Sequence, residues 1–179
     1  MSKYRYGHFL FSTFIALVFI SIDWITKNKI SGSFQLYEKR DVIPGFFSLY
    51  YVRNTGSAFS MLADKSWGIT VLSVVSVIMA AVIFYLLTKA GQLKDTASCV
   101  ALTLLLAGAV GNLIDRIVYR SVVDFLRFDF GSYTFPIFNV ADICAVCGTV
   151  LFVIMILFQQ KKVDKILVKV ENDLKSHRR

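Results

Sequence analysis

The sequence is short of charge. Of 179 residues only 18% are Asp, Glu, Lys or Arg, 56% belong to the apolar set, and the mean hydropathy is +0.61. A soluble domain carries about 25% charged residues, so a water-soluble globule of this composition would expose large apolar patches. The bilayer is the solvent that fits. Histidine is nearly missing as well. His8 and His177 lie at the chain ends, so an HExxH zinc hydrolase is absent and a Ser-His-Asp triad has no histidine near the acidic residues considered below. Three scattered cysteines make no disulfide scaffold. Cys144-x-x-Cys147 has redox spacing but lies in an apolar run without a βαβ context, and together with Cys99 it reads as small buried apolar residues. There is no glycine-rich phosphate loop, internal repeat or low-complexity tract, and 15% aromatic content excludes intrinsic disorder. Neither a metal nor a cofactor is expected.

What the sequence has in excess is long apolar runs. Those at 9–26, 67–87, 96–114 and 140–158 are each close to the ~20 residues that cross a ~30 Å hydrocarbon core as a helix. They lack the two-residue alternation of a barrel strand, and helices satisfy their own backbone groups in lipid. The fold class is therefore an all-α membrane protein, one domain over residues 1–179 with four transmembrane helices. The first run follows Lys3 and Arg5 as a cleaved signal peptide would, but the small-x-small site Ser31-Gly32-Ser33 lies beyond Asp23, Lys27 and Lys29, too far from that run. It is kept as a spanning helix.

An even number of spans puts both termini on one side. Residues 1–8, 88–95 and 159–179 hold 11 Lys/Arg in 37 residues, against 9 in 65 for 27–66 and 115–139. The denser side is expected to be cytoplasmic. Seven of the twenty Lys/Arg fall in a basic cytoplasmic tail, 159–179, which suits anionic membrane phospholipids better than nucleic acid. Within that tail Val163, Ile166, Leu167, Val170 and Leu174 recur at helical spacing, which predicts an interfacial helix continuing from the last span. On the other side, 46–52 is rich in Tyr, Phe and Val behind a Pro44-Gly45 turn signal, which predicts a strand of a small extracytoplasmic β-sheet.

Ionisable residues in spanning helices cost about 2.5–3.5 kcal/mol at the helix centre, so each needs a reason. Asp23 and Lys27 stand at i and i+4 and are placed to pair, the lysine snorkelling at the interface. Gly108, Asn112 and Arg116 recur every four residues on one face of the third helix, with Asp115 beside them. Asp124 lies in an apolar stretch just outside that helix, and on its own reads as a solvated loop carboxylate. Asp142 follows Asn139 by three residues at the start of the fourth helix, where helix capping would account for it. Three separate segments thus bring acidic and amide side chains to one membrane surface, and that convergence marks a site.

Two carboxylates sharing a water in apolar surroundings cannot both ionise comfortably, so the pair holds one proton. One member then draws a proton from water while the other polarises a carbonyl, which is aspartic peptidase chemistry, with Asn54, Asn112 or Arg116 stabilising charge or holding substrate. A Ser/Lys dyad from Lys27 and Ser57 is a lesser possibility. The reading from another class is a small transporter or channel subunit whose intramembrane carboxylates relay protons. Against it, the ionisable residues cluster at one surface and no inverted repeat is visible.

The motifs are together recognisable. Asp23-Trp-Ile-Thr-Lys27, Asn54-Thr-Gly56-Ser-Ala58-Phe59, Gly111-Asn112-Leu-Ile-Asp115-Arg116, Val122-Val-Asp124-Phe125 and Phe138-Asn139-Val-Ala141-Asp142 occur in that order. Any one is weak, but the five on a four-helix plan resemble the bacterial lipoprotein signal peptidases, signal peptidase II. The resemblance implies a membrane aspartic endopeptidase with Asp124 and Asp142 as its catalytic pair. Asn54, Gly56, Asn112, Arg116 and Asn139 would support substrate and dyad, and Asp23, Lys27 and Asp115 would be structural polar supports. It also implies a diacylglyceryl-modified prolipoprotein as substrate, cut before the lipidated cysteine, and a monomer in the bacterial cytoplasmic (inner) membrane with its site at the extracytoplasmic surface. Segment 34–52 would form the sheet that cradles the substrate. Two positions depart from the family pattern. Ala107 stands where glycine is frequent beside Gly108, a slight change to helix packing, and Arg120 where glycine is frequent in the turn leading to Asp124.

Overall fold

The computed structural model describes residues 7–56 and 67–176. Lys3, Arg5, Ser57, Ala58, Phe59, His177, Arg178 and Arg179 of the sequence reading lie outside them. The chain order is α1 (Gly7–Ser33), β1 (Lys39–Ile43), β2 (Phe47–Asn54), α2 (Gly68–Gln92), α3 (Thr96–Tyr119), β3 (Val122–Phe130), β4 (Tyr133–Thr134), α4 (Val140–Phe158) and α5 (Gln160–Ser176). Among the described residues four helices, α1 to α4, are long and apolar enough to cross a membrane.

The first three of these helices run past the apolar stretches that announce them, while α4 coincides with its own. At a rise of ~1.5 Å per residue the 27 residues of α1 extend about 40 Å, so Lys27 sits inside the helix rather than in the following loop. Hydropathy marks the lipid zone, and a helix continues beyond it while its polar groups find partners. Large apolar side chains such as Phe11, Phe14, Val74, Ile78, Val146 and Val150 point outward from α1, α2 and α4, as lipid-facing surfaces must.

The most buried span is α3, which packs against the other three. Its seam with α4 is lined by small residues, because helices in lipid associate through close backbone approach rather than apolar transfer. A Cβ on Gly108 would lie 2.6 Å from the Ala141 carbonyl oxygen and 2.8 Å from the Ala145 nitrogen. One on Gly111 would meet the Asp23 carboxylate at 2.8 Å. Backbone cannot yield as a flexible side chain does, so Gly108→Ala should push α4 outward at its first turns. The expected result is a lower unfolding midpoint in detergent, by about 1–3 kcal/mol, together with reduced turnover. An unchanged midpoint would mean that the seam is looser than drawn. Ala107, by contrast, is taken up in the interior at 1% exposure.

At one end of the bundle the four strands form an antiparallel sheet in the order β1-β2-β3-β4. The expected strand at 46–52 is β2, and it reaches Asn54. The Pro44-Gly45 turn precedes it, with Gly45 at φ 73°. The segment holding Asp124 is not a loop: it is β3, with Val52 opposite Asp124 across the ladder. Tyr51, Val123, Phe125 and Ile30 form the small core between sheet and helices.

At the opposite end α5 does not continue α4. Gln159 breaks the helix at φ −132°. The following helix packs back on the bundle through Ile166, which joins Leu87, Ala90, Cys99 and Leu102. Lys89 donates to Asp173 at 2.6 Å, and with Lys169 it holds that carboxyl below the usual range.

Candidate active site

The polar residues singled out in the sequence meet where α1, α3, α4 and β3 converge beneath the sheet. The starting point is the exit of α3. Arg120 ends that helix in the left-handed conformation, φ 57° and ψ 22°, and its N–H returns to the Arg116 carbonyl at 3.2 Å. The turn into β3 thus forms without glycine, at the steric cost that a side chain incurs in this region. Arg120→Gly should raise the unfolding midpoint, by about 0.5–1 kcal/mol, since the side chain's contact to Thr70 is exposed and 3.3 Å long. A lowered midpoint would contradict the reading.

Two carboxylates then tie helices to the site. Asp115 Oδ2 accepts from the Val123 N–H at 2.9 Å, so the last turn of α3 holds the start of β3. Asp23 Oδ1 accepts from the Ala141 N–H at 2.8 Å, one of the open donors in the first turn of α4. Lys27 lies between them, 2.7 Å from Asp23 and 3.3 Å from Asp115, and donates to Asn112 Oδ1 at 2.9 Å. It is only 2% exposed. The expected pairing with Asp23 is present, but the lysine does not snorkel: its partners on α3 draw it inward. As a fully engaged ammonium it is also poorly suited to serve as the base of a Ser/Lys dyad.

Asn139 links the remaining parts. It is the N-cap of α4, its Oδ1 accepting from the Asp142 N–H at 2.9 Å while Asp142 Oδ2 accepts from the Asn139 N–H at 3.1 Å, a capping box. Its Nδ2 donates to Asp124 Oδ1 at 2.7 Å, with further contacts to Asn112 Oδ1 at 3.1 Å and the Val123 carbonyl at 3.3 Å. The capping account of Asp142 is therefore correct and incomplete, since the residue that forms the box with it also holds Asp124. Asn112 Nδ2 donates to Asp142 Oδ1 at 2.7 Å. From the sheet, Asn54 Nδ2 donates to Asp124 Oδ2 at 3.0 Å, and its own Oδ1 accepts from the Gly56 N–H at 2.9 Å. What fixes β3 against α4 is Phe138, whose carbonyl accepts from Phe125 and Leu126 and whose N–H returns to Leu126. Sequence reasoning missed this backbone clasp; the aromatic and β-branched run Val122 to Phe130 was the signal for a strand.

Asp124 is 3% exposed. Burial, and next the charge of Asp142, push its carboxyl up to about 7 against the opposing hydrogen bonds from Asn54 and Asn139. Arg116 lies within electrostatic reach of Asp142, Asp124 and Asp115. Its Nη1 contacts Ser76 at 3.3 Å, and among the described residues its buried Nε has no hydrogen-bond partner. Asn54, Gly56, Asn112, Arg116, Asn139, Asp124 and Asp142 are thus brought together, with Asp23, Lys27 and Asp115 beneath them. Among the described residues no group of three His, Cys, Asp or Glu is arranged to hold a metal.

Fold and site together define a multi-pass membrane protein with a paired-carboxylate centre at one end of its helices. Residues 15–158 match the family model described as signal peptidase (SPase) II, and the chain belongs to that family. It is 40% identical over 153 residues to a lipoprotein signal peptidase of Symbiobacterium thermophilum, covering 85% of this chain and 98% of that one. It is 41% identical over 153 residues to a lipoprotein signal peptidase of Bacillus pumilus, covering 86% and 96%. A solved bacterial membrane enzyme superposes with a TM-score of 0.75 at 32% identity, over 88% of this chain and 92% of that one.

Proposed function

We propose that this chain is an aspartic endopeptidase that removes the signal peptide from diacylglyceryl-modified prolipoproteins, cutting before the lipidated cysteine. Family membership supports the substrate class. The observation that carries the mechanism is the buried Asp124, shielded by Asn54 and Asn139, joined through Asn139 and Asn112 to Asp142.

Asp124 is the member that holds the shared proton, because burial and its neighbour's charge keep it protonated up to about pH 7. Asp142 takes a proton from the attacking water as the water oxygen bonds to the scissile carbonyl carbon, and Asp124 gives its proton to the carbonyl oxygen. In the collapse Asp142 passes its proton to the amide nitrogen, the C–N bond breaks, and one hydroxyl returns a proton to Asp124. Arg116, whose Nε–H is unused among the described residues, and Asn112 hold the substrate backbone or stabilise developing charge. Asp23, Lys27 and Asp115 position α3, α4 and β3.

The sheet end is the extracytoplasmic end and the basic α5 end is cytoplasmic, by the density of Lys and Arg. A substrate anchored by its acyl chains and apolar signal helix presents its scissile bond at the membrane surface, where these carboxylates are. The protein works as a monomer among membrane phospholipids.

The test is cleavage in detergent of a lipidated precursor beside its unlipidated form. The lipidated form should be cut and the other left. Equal cutting of both would remove lipid recognition from the reading, and cutting of neither would favour a proton-relay role for the carboxylates.

A further inference from the structure

A second binding region lies at the end of the bundle opposite the carboxylates, where α3 begins and α4 passes into α5. A groove of about 780 Å³ opens there. Lys94, Lys162 and Lys165 stand at its polar end, and Val100, Leu151 and Ile154 line its apolar side. Its one carboxylate, Asp95, is already engaged, accepting from Ser98 Oγ at 2.6 Å with Lys162 Nζ at 4.0 Å. Among the described residues lining the groove, the lysines thus outnumber carboxylates by three to one.

The lysines do not sit on a loose tail. Buried Ile166 and the Lys89–Asp173 pair fasten α5 to the bundle, and Lys162 and Lys165 lie in the turn before that anchor. Gln159, at the break between α4 and α5, also lines the groove. Among the described residues its Oε1 is buried without a hydrogen-bond partner.

The groove adjoins an apolar slot of about 410 Å³ between α1 and α3, lined by Phe11, Ile15, Phe19 and Leu104, and shares Thr96 and Val100 with it. Basic groups at the mouth, a lone acceptor beside them and two apolar channels running into the spans match one kind of molecule. We infer that this groove binds an anionic glycerophospholipid with a hydroxyl-bearing headgroup. The phosphate meets Lys94, Lys162 and Lys165, the hydroxyl donates to Gln159, one acyl chain lies along Val100, Leu151 and Ile154, and the other enters the slot.

The full-length protein in detergent should be titrated with dioleoylphosphatidylglycerol, dioleoylphosphatidylcholine and glycerol phosphate, and binding followed by native mass spectrometry. Phosphatidylglycerol should bind at least about tenfold more tightly than phosphatidylcholine, and glycerol phosphate should not compete. Lys162→Gln/Lys165→Gln should weaken phosphatidylglycerol about 25-fold, from the roughly fivefold per basic residue that about 1 kcal/mol represents. The control Lys29→Gln/Lys175→Gln removes the same charge away from the groove and should lose less than about threefold, since exposed charges are screened. Lys162→Arg/Lys165→Arg should keep the affinity, and precursor cleavage at the other end reports that each variant is folded. Equal losses in the groove and control variants, equal binding of the two lipids, or competition by glycerol phosphate would each overturn the site.

Discussion

Purified protein carrying Asp124→Asn or Asp142→Asn should bind lipidated precursor and lose turnover by roughly 10⁴-fold in either variant. The two effects should be alike because the carboxylates act as a unit. On the proposed mechanism, Asp124 is the source of the proton for the carbonyl oxygen and Asp142 is the group that draws a proton from water. The double variant should be little worse than either single one. Precursor binding measured beside single-turnover cleavage checks this. Retained turnover in one variant would reduce that aspartate to its structural bonds, which for Asp142 means the capping box with Asn139.

Lys27→Met should be the most destabilising single change, by about 3–5 kcal/mol, because it leaves Asp23 and Asp115 buried without the cation between them. Its effect does not stop at stability. Asp23 holds the first turn of α4 and Asp115 holds the start of β3, so both elements that carry the proposed dyad lose a fastening. Adding Asp23→Asn to Lys27→Met should restore part of the midpoint, since an uncompensated carboxylate disappears while an amide oxygen still accepts from the Ala141 N–H. Unfolding midpoints of the two variants in detergent decide the matter. A double variant less stable than the single one would mean that the Asp23 charge stabilises the fold through something other than Lys27.

The four spans were legible because lipid demands long apolar runs, and the site's composition because polar residues at the mouths of such runs need a reason. The five motifs name every side chain described here around Asp124 and Asp142 apart from Ser76. What the chain did not disclose was where partners come from. Lys27 reads as an interfacial anchor in α1 alone and becomes buried only because Asn112 and Asp115 arrive from α3. The strand β3 reads as an apolar stretch outside α3 with Asp124 as a loop carboxylate, because its first four residues are covered on both faces and so lack strand alternation, and because its pairing with β2 joins positions far apart, Val52 with Asp124. Gln159 interrupts an otherwise continuous helical pattern, and no proline or glycine marks the break. At Arg120 the family pattern was the better guide. Glycine is frequent there, and the left-handed turn is the physical reason.

The central claim is that Asp124 supplies the proton for a reaction begun by Asp142. A carboxyl raised to about 7 in the folded protein and ordinary in the unfolded chain keeps its proton through the mildly acidic range. Its stabilising contribution is whole below the usual carboxylate range and is lost as pH rises through about 7. On the proposed mechanism catalysis follows the same group. The decisive measurement is the pH dependence of kcat/KM for lipidated precursor, which reports the free enzyme's essential groups. The rate should fall as pH rises past about 7, one proton being lost. A rate that stays level or climbs through that range would show that Asp124 is not the acid.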